Sequence, residues 1–320
     1  MSDVPIEDPP AHAQERYAAW IADVRRTPVA CLRLELLTER PFSCEDLLGS
    51  RLNGAFWAGL QVVADYHPEE RMRWWARTAL SFHDRFRVAN GLKERPVVLQ
   101  MPDSPLVLEG NGVLTVGLLL IGDAAATWPA WVNAAAELDL RPGQFRLNAA
   151  LLQTTDGEQD AGVLPCAWPG ITSLGRLEAA QPLPPADRLA VQFLSPAEIT
   201  HQRRPCTSFP TAEPLLRSAL RALSEASWRQ PGADLTAWLA GLAAQVANPN
   251  PERLTEKRMA HRENRQMATF RGVTGRVPLQ AMPAPVREVL SLARFTHVGQ
   301  RAAFGFGRYD LVPADTDVME

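Results

Sequence analysis

Apolar residues in this chain change their period in a fixed order, and that order runs twice. Between Val29 and Thr38, Leu32, Leu34 and Leu36 alternate with Arg33 and Glu35, the period of two that buries one face of a strand. Ser43 and Asp46 then give a helix-start signature, and Leu48, Leu52, Ala55, Phe56 and Leu60 recur at helical spacing to about residue 64. Arg71 to Ala79, with Trp74 and Trp75, also reads as helical. Residues 96–100 and 106–108 are short extended candidates, and Val113 to Ile121 predicts a buried strand. Thr127 caps a helix whose Trp128, Trp131, Val132, Ala135 and Leu138 face inward, and Gln144 to Gln153 alternates again through Phe145, Leu147, Ala149 and Leu151. Strand, helix, two strands, helix, strand is the ferredoxin-like βαββαβ order, covering residues 27–155.

Residues 156–186 are rich in Gly, Pro, Asp and Thr without sustained periodicity, which places the domain junction there. The pattern then restarts. Arg188 to Leu194 reads as a strand, Thr211 caps a helix carrying Leu216, Leu220 and Leu223, and Leu235 to Val246 forms a further helix. Gln266 to Phe270 and Gly275 to Leu279 are extended around a turn at Gly272 to Gly275. Pro285 opens a helix with Val286, Val289, Leu290 and Ala293, and Phe304 to Leu311 closes as a strand. The expected fold is therefore α+β: two ferredoxin-like domains in tandem, residues 27–155 and 187–312, with a flexible leader at 1–26 and an acidic tail at 313–320.

With 46% hydrophobic residues in 320, the chain can bury a substantial core, and no apolar run reaches the roughly 20 residues that cross a bilayer. No membrane role and no secretion signal are expected, so the location is cytoplasmic. Cys31, Cys44, Cys166 and Cys206 are widely spaced without a C-x-x-C pair, which argues against a zinc module or a disulfide framework. No metal or cofactor is expected. Net charge is −3, but its distribution says more than its sum. Residues 253–308 hold eleven Lys/Arg against three Asp/Glu, and residues 71–95 hold seven against two, in an otherwise acidic chain. Two concentrated basic segments suit one polyanion-binding face, although an arginine-rich helix can equally be a solvated one.

Phe295 to Tyr309 combines Gly299, Gly305 and Gly307 with Arg301, Arg308 and His297. Glycines let a backbone wrap a phosphodiester, its N–H groups can face an anion, and the arginines pair with phosphates. The same glycines also suit a bulged hairpin that only relieves strain. Upstream, helical spacing puts Arg258, Arg262 and Arg265 on one face, beside His261. In the first domain Arg71, Arg73, Arg77, Arg85 and Arg87 surround Trp74, Trp75, Phe82 and Phe86, a pattern that stacks bases and pairs phosphates, with packing as the commoner use of paired tryptophans. Metal-free RNA cleavage needs a base for the 2′-OH, an acid for the 5′-oxygen and cations for the phosphorane. His297, adjoining the glycine loop, is the candidate catalytic residue, with His83 behind it.

His297-Val-Gly299, five residues, then Gly305-Phe-Gly307-Arg-Tyr resemble the C-terminal glycine-rich motif of the CRISPR precursor-RNA processing endoribonucleases of the RAMP superfamily. Arg262 to Gln266 and Gly272 to Gly275 are similar to the segment preceding that motif. Leu189 to Pro196 is similar to the first strand of the family's second domain, and Leu52-Asn-Gly54-Ala-Phe to an element of its first helix. The resemblance implies tandem ferredoxin-like domains and an endoribonuclease that cuts CRISPR repeat RNA 3′ of a stem-loop. It also implies a 2′,3′-cyclic phosphate product, retention of the crRNA and other effector-complex subunits as partners. Residues 43–60 depart from the family: they contain no His, Tyr or Lys where many members carry a catalytic His. Gln300 stands where relatives often have Lys, leaving Arg301 as the cation. A non-catalytic RAMP subunit that binds guide RNA is the alternative, and a ferredoxin-like interaction module unrelated to nucleic acid is a third reading.

Overall fold

The computed structural model describes residues 11–44, 48–84, 96–101, 106–140, 144–154, 157–161, 171–185, 188–249, 254–263 and 266–314. The first half runs α1 (Ala11–Arg25), β1 (Pro28–Thr38), β2 (Phe42–Cys44), α2 (Leu48–Tyr66), α3 (Glu70–Asp84), β3 (Val97–Gln100), β4 (Leu106–Leu108), β5 (Val113–Ile121), α4 (Trp128–Ala136), β6 (Phe145–Thr154) and β7 (Gly157–Asp160). The second runs β8 (Thr172–Ser173), α5 (Leu174–Ala180), β9 (Leu189–Ala197), β10 (Thr200–His201), β11 (Arg204–Pro205), α6 (Glu213–Ser227), α7 (Ala233–Ala244), β12 (Leu254–Glu263), β13 (Gln266–Leu279), α8 (Ala284–Thr296) and β14 (Tyr309–Pro313). Two large antiparallel sheets result, ordered β3-β5-β1-β6-β7 and β12-β13-β9-β14, beside the two-stranded pairs β2-β4 and β10-β11. In each large sheet, the domain's first strand lies between its third and fourth core strands, which is the ferredoxin-like arrangement expected from the repeated periodicity.

Period two explains which face of the first sheet is buried. Ala30, Leu32, Leu34 and Leu36 of β1 join Leu114, Val116, Leu118 and Leu120 of β5 in a core closed by α2, α3 and α4. At one end the opposite face is covered too, because Val29, Val98, Leu119 and Ile121 belong to the core of the second domain. That double burial accounts for the unbroken apolar run Leu118-Leu-Leu-Ile121. Each large side chain so enclosed contributes roughly 1.5–3 kcal/mol. Among the described residues no helix is long and apolar enough to cross a membrane.

Several expectations are corrected. The leader holds a helix from Ala11 to Arg25, whose Tyr17, Trp20, Ile21 and Val24 lie in the second core although β1, which it precedes, belongs to the first sheet. The junction likewise contributes: β8 pairs with the start of β1, and Leu174 and Leu177 of α5 are buried in the second core. Along β6 the inward alternation changes phase. Leu36 pairs with Leu147 but Glu35 with Ala149, so Asn148 is an extra residue, and beyond it Ala150 and Leu152 are buried in place of Leu151. Gly272 to Gly275 is not a turn but lies inside the continuous strand β13, where its pairing with β9 slips between Val273 and Gly275. The closing strand is shorter than Phe304 to Leu311: Ala302–Phe304 is a 3-10 turn, and β14 spans Tyr309–Pro313. Asp46 of the helix-start signature lies outside the described residues.

Candidate nucleic-acid interface

The glycine loop leaves α8 through His297, whose backbone has positive φ (59°), and returns to β14 at Tyr309. The N–H groups of its three glycines are taken. Gly299 donates to Ser218 Oγ (2.7 Å), Gly305 to the Ala302 carbonyl (2.9 Å) and Gly307 to the Pro196 carbonyl (2.9 Å). Ser195 locks the loop from below, its hydroxyl donating to the Gly305 carbonyl (2.7 Å) and accepting from the Arg308 N–H (2.9 Å). The expectation that these glycine amides cradle a phosphate is therefore corrected: they hold the loop together. Gly307 must be glycine on two counts, a φ of +71° and a Cβ that would lie 1.7 Å from the Val298 carbonyl oxygen. Gly49, at the start of α2, meets the loop from the other domain, where a Cβ would fall 1.9 Å from the Phe304 carbonyl oxygen. The loop is thus a clasp between the two domains.

His297 is 0% exposed. Its Nδ1 lies 3.1 Å from the Phe306 carbonyl, which can only accept, so this nitrogen carries a proton and ties the end of α8 to the returning strand. An imidazole enclosed in this way does not reach a phosphodiester on the surface, which is at odds with the proton-transfer role expected for it. Tyr309 beside it donates its hydroxyl to the Leu290 carbonyl, and burial pushes that phenol above its ordinary pKa, keeping it neutral. Arg301 is half-buried with positive φ and pairs with Glu198 at 2.9 Å, while the half-buried Arg308 is fixed through its backbone. The His83 side chain lies outside the described residues, though its backbone belongs to α3.

Cations reach solvent on two hairpins next to the clasp. Arg258 and Arg262 do not share a helix face, because residues 254–263 form β12; Arg258 is exposed and pairs with Glu256 at 3.0 Å. The side chain of Arg262 and all of Arg265 lie outside the described residues. β12 pairs with β13 from Gly275 back to Gln266, whereas β9 pairs with β13 only from Val273 onward, so the β12–β13 hairpin projects past the sheet as an arm. The sequence reading missed a second hairpin. β10 and β11 form a short finger whose turn residues Gln202 and Arg203 both have positive φ (49° and 64°), with Arg203 and Arg204 exposed and His201 half-exposed. Only the run His-Gln-Arg-Arg signals it, since the Asn-Gly pair typical of such turns is absent. Gln300 of the clasp bridges to Glu198 at the base of the finger and donates to Thr200 Oγ1 (3.4 Å).

Between arm and finger lies a cleft of about 210 Å³, lined by Glu198, Pro205, Cys206, Thr207, Glu256 and Arg271 among others. Burial raises the Cys206 thiol above its ordinary pKa, outweighing a backbone hydrogen bond near His201, so it stands there neutral. Arg271 lines this trough beside the carboxylates of Glu198 and Glu256, and the exposed Arg203, Arg204 and Arg258 stand on the finger and arm that form it, cations that suit a polyanionic strand. In the first domain the basic helix α3 is partly committed: Arg71 lies 4.5 Å over the ring of the buried Trp75, and Arg73 donates to the His67 carbonyl at 2.6 Å. Trp74 and Arg77 are exposed, while Arg85 and Arg87 lie outside the described residues.

The family model described as CRISPR-associated endoribonuclease Cas6 matches residues 191–309, from β9 through arm, finger and clasp to β14. Among solved structures, Thermus thermophilus Cas6 is similar at 19% identity, over 89% of this chain and 99% of that one, with a TM-score of 0.55. A Cas6 product complex is similar at 21% identity over 90% of this chain and 99% of that one, with a TM-score of 0.56. A partial Cas6-RT-Cas1–Cas2 complex is similar at 14% identity, over 92% of this chain and 48% of that one, also at 0.56. No curated protein matches the chain in sequence. The resemblance to the CRISPR precursor-RNA processing endoribonucleases holds in the second domain by family model, and in both domains by fold.

Proposed function

We propose that this chain, which shares the Cas6 fold, is an endoribonuclease that processes CRISPR precursor RNA. It cuts within the repeat on the 3′ side of a stem-loop without a metal ion and keeps the crRNA. The observation that carries the reading is the match of the family model to residues 191–309, the stretch that holds the exposed arginines of the finger and arm. In the reaction the 2′-oxygen attacks the adjacent phosphorus as its proton leaves to a base. The 5′-oxygen departs with a proton from an acid, leaving a 2′,3′-cyclic phosphate.

His297 acts through the loop it holds, as a positioning residue. The proton-transfer role falls to a less enclosed imidazole, and the half-buried His201 on the finger is one candidate; His83 on α3, whose side chain lies outside the described residues, is the other. Incubating repeat RNA with the full chain in EDTA tests the activity, and a single cut whose upstream product ends in a cyclic phosphate is expected. His201→Ala and His83→Ala are assayed beside it. A drop of about 10²–10⁴-fold in rate with binding retained identifies the proton-transfer residue.

One observation favours a second reading, a non-catalytic subunit that holds guide RNA in an effector complex. His297 is sealed, and residues 43–60 lack His, Tyr and Lys. Tight binding of repeat RNA with no cut product would replace the first reading with this one.

A further inference from the structure

A second cleft, of about 340 Å³, opens where the two domains meet, away from the arm and finger. It is formed by the turn between α1 and β1, the ends of α3 and β5, and the C-terminal end of α6; Arg26, Phe82, Asp123, Trp228 and Arg229 are among its lining residues. Its volume falls at the lower end of the roughly 300–1,000 Å³ of small-ligand sites.

Trp228 is unusual there in two ways. It caps α6 in the left-handed conformation (φ 58°, ψ 20°), a position that favours glycine, and its large apolar ring is nonetheless 45% exposed. The turn carrying it is pinned. Trp20 of α1 donates its indole N–H to the Arg229 carbonyl at 2.9 Å, and the Arg229 N–H donates to Ser227 Oγ at 3.2 Å. The cleft is lined by charges of both signs: exposed Arg229 and Asp123, neither in an ion pair among the described residues, exposed Arg26, which lies 3.1 Å from Asp23, and the buried Glu225, held by Arg221 at 2.8 Å.

An aromatic face with two guanidinium groups near it, and one carboxylate, Asp123, outside any ion pair among the described residues, matches the parts of a ribonucleotide. We propose that this cleft is a ribonucleotide subsite, in which a base stacks on Trp228, its phosphate meets Arg229 and Arg26, and Asp123 accepts from a ribose hydroxyl or base N–H. The proposal rests on the RNA-binding reading above. Ser218, which holds the clasp, and Trp228 are ten residues apart on α6, about 15 Å at 1.5 Å per residue. A strand leaving the cleft between arm and finger, whose Glu198 pairs with Arg301 of the clasp, can pass the clasp and reach the ring.

The test measures equilibrium binding by the full chain of three probes: repeat RNA with single-stranded flanks, the same stem-loop without flanks, and AMP. Trp228→Ala, Trp228→Gly and Trp228→Phe are compared with wild type. For flanked RNA, Trp228→Phe stays within twofold while the Ala and Gly variants weaken about tenfold, and all four bind the unflanked stem-loop alike. Trp228→Gly also keeps the proposal falsifiable, because glycine suits the left-handed cap and this variant melts no lower than Trp228→Ala. Lost binding in a folded protein is then due to the missing ring.

Flanked RNA bound within twofold of wild type by both the Ala and Gly variants overturns the subsite. Wild type that binds AMP but no repeat RNA, with AMP lost in Trp228→Ala, leaves a free-mononucleotide site and sinks the RNA-processing reading instead. Wild type that binds neither removes both.

Discussion

At Gly307 a methyl group would need to occupy the space of the Val298 carbonyl, and the residue would also need a left-handed backbone. Gly307→Ala is therefore expected to cost roughly 2–4 kcal/mol of stability, read as a lower midpoint in denaturant unfolding. An unchanged midpoint would mean that the loop relaxes freely. His297→Ala removes an enclosed ring and its bond to the Phe306 carbonyl. The expected result is a loss of about 2–4 kcal/mol in stability, with the protein that remains folded cutting at a rate within a few-fold of wild type. A fully folded variant with no cleavage would return the proton-transfer role to His297. The identity of these residues was legible from spacing alone, but their task was not. Close approach is a relation between Gly307 and Val298, or between Gly49 and Phe304, and the second pair is separated by most of the chain.

Among the elements, those buried on one face announced themselves. β1, α2 and α8 carry apolar residues at the period of their own backbone, because a core on one side selects them, while β5 betrays itself by the unbroken apolar run that burial on both faces permits. The arm did not. Beyond Glu256 the strand β12 pairs with a part of β13 that β9 does not reach, and the charges from Glu256 to Glu263 take every phase. Even spacing of arginines then read as a helix face. α1 was legible in principle, since Ala13, Tyr17, Trp20, Ile21 and Val24 recur every three to four residues. The finger, two residues per strand, is too short for any period. If the finger contacts phosphate, Arg203→Ala with Arg204→Ala should lower RNA affinity about tenfold at moderate salt. The slope of log affinity against log salt should flatten by about 1.4, at roughly 0.7 per phosphate on a single strand. A slope equal to that of wild type would exclude the finger from the interface.

Across the whole molecule, two devices hold the domains: the clasp, seated against Gly49 and Met101, and α1, lodged among the helices of the far domain. Arg25 completes the second device with Glu178 (2.9 Å) and Glu288 (2.6 Å), and the Tyr17 hydroxyl bonds to Glu288 as well. Removing residues 1–25 exposes the seats of Tyr17, Trp20, Ile21 and Val24, each worth roughly 1.5–3 kcal/mol. The truncated chain should melt far below the full one or fail to fold, as thermal unfolding followed by circular dichroism would report. A melting temperature within a few degrees of wild type would reduce α1 to an ornament. Tandem ferredoxin-like order was readable from periodicity because each domain repeats it locally, whereas the docking of α1 across the pair has no local signature.

The seat of α1 also sets a timetable. Its residues leave the ribosome before those of β1, yet the helices that receive them, α5 to α8, are made only after the whole first sheet. Until those helices have emerged, the nascent protein carries an amphipathic segment with nowhere to rest. The helix born early is among the last to settle.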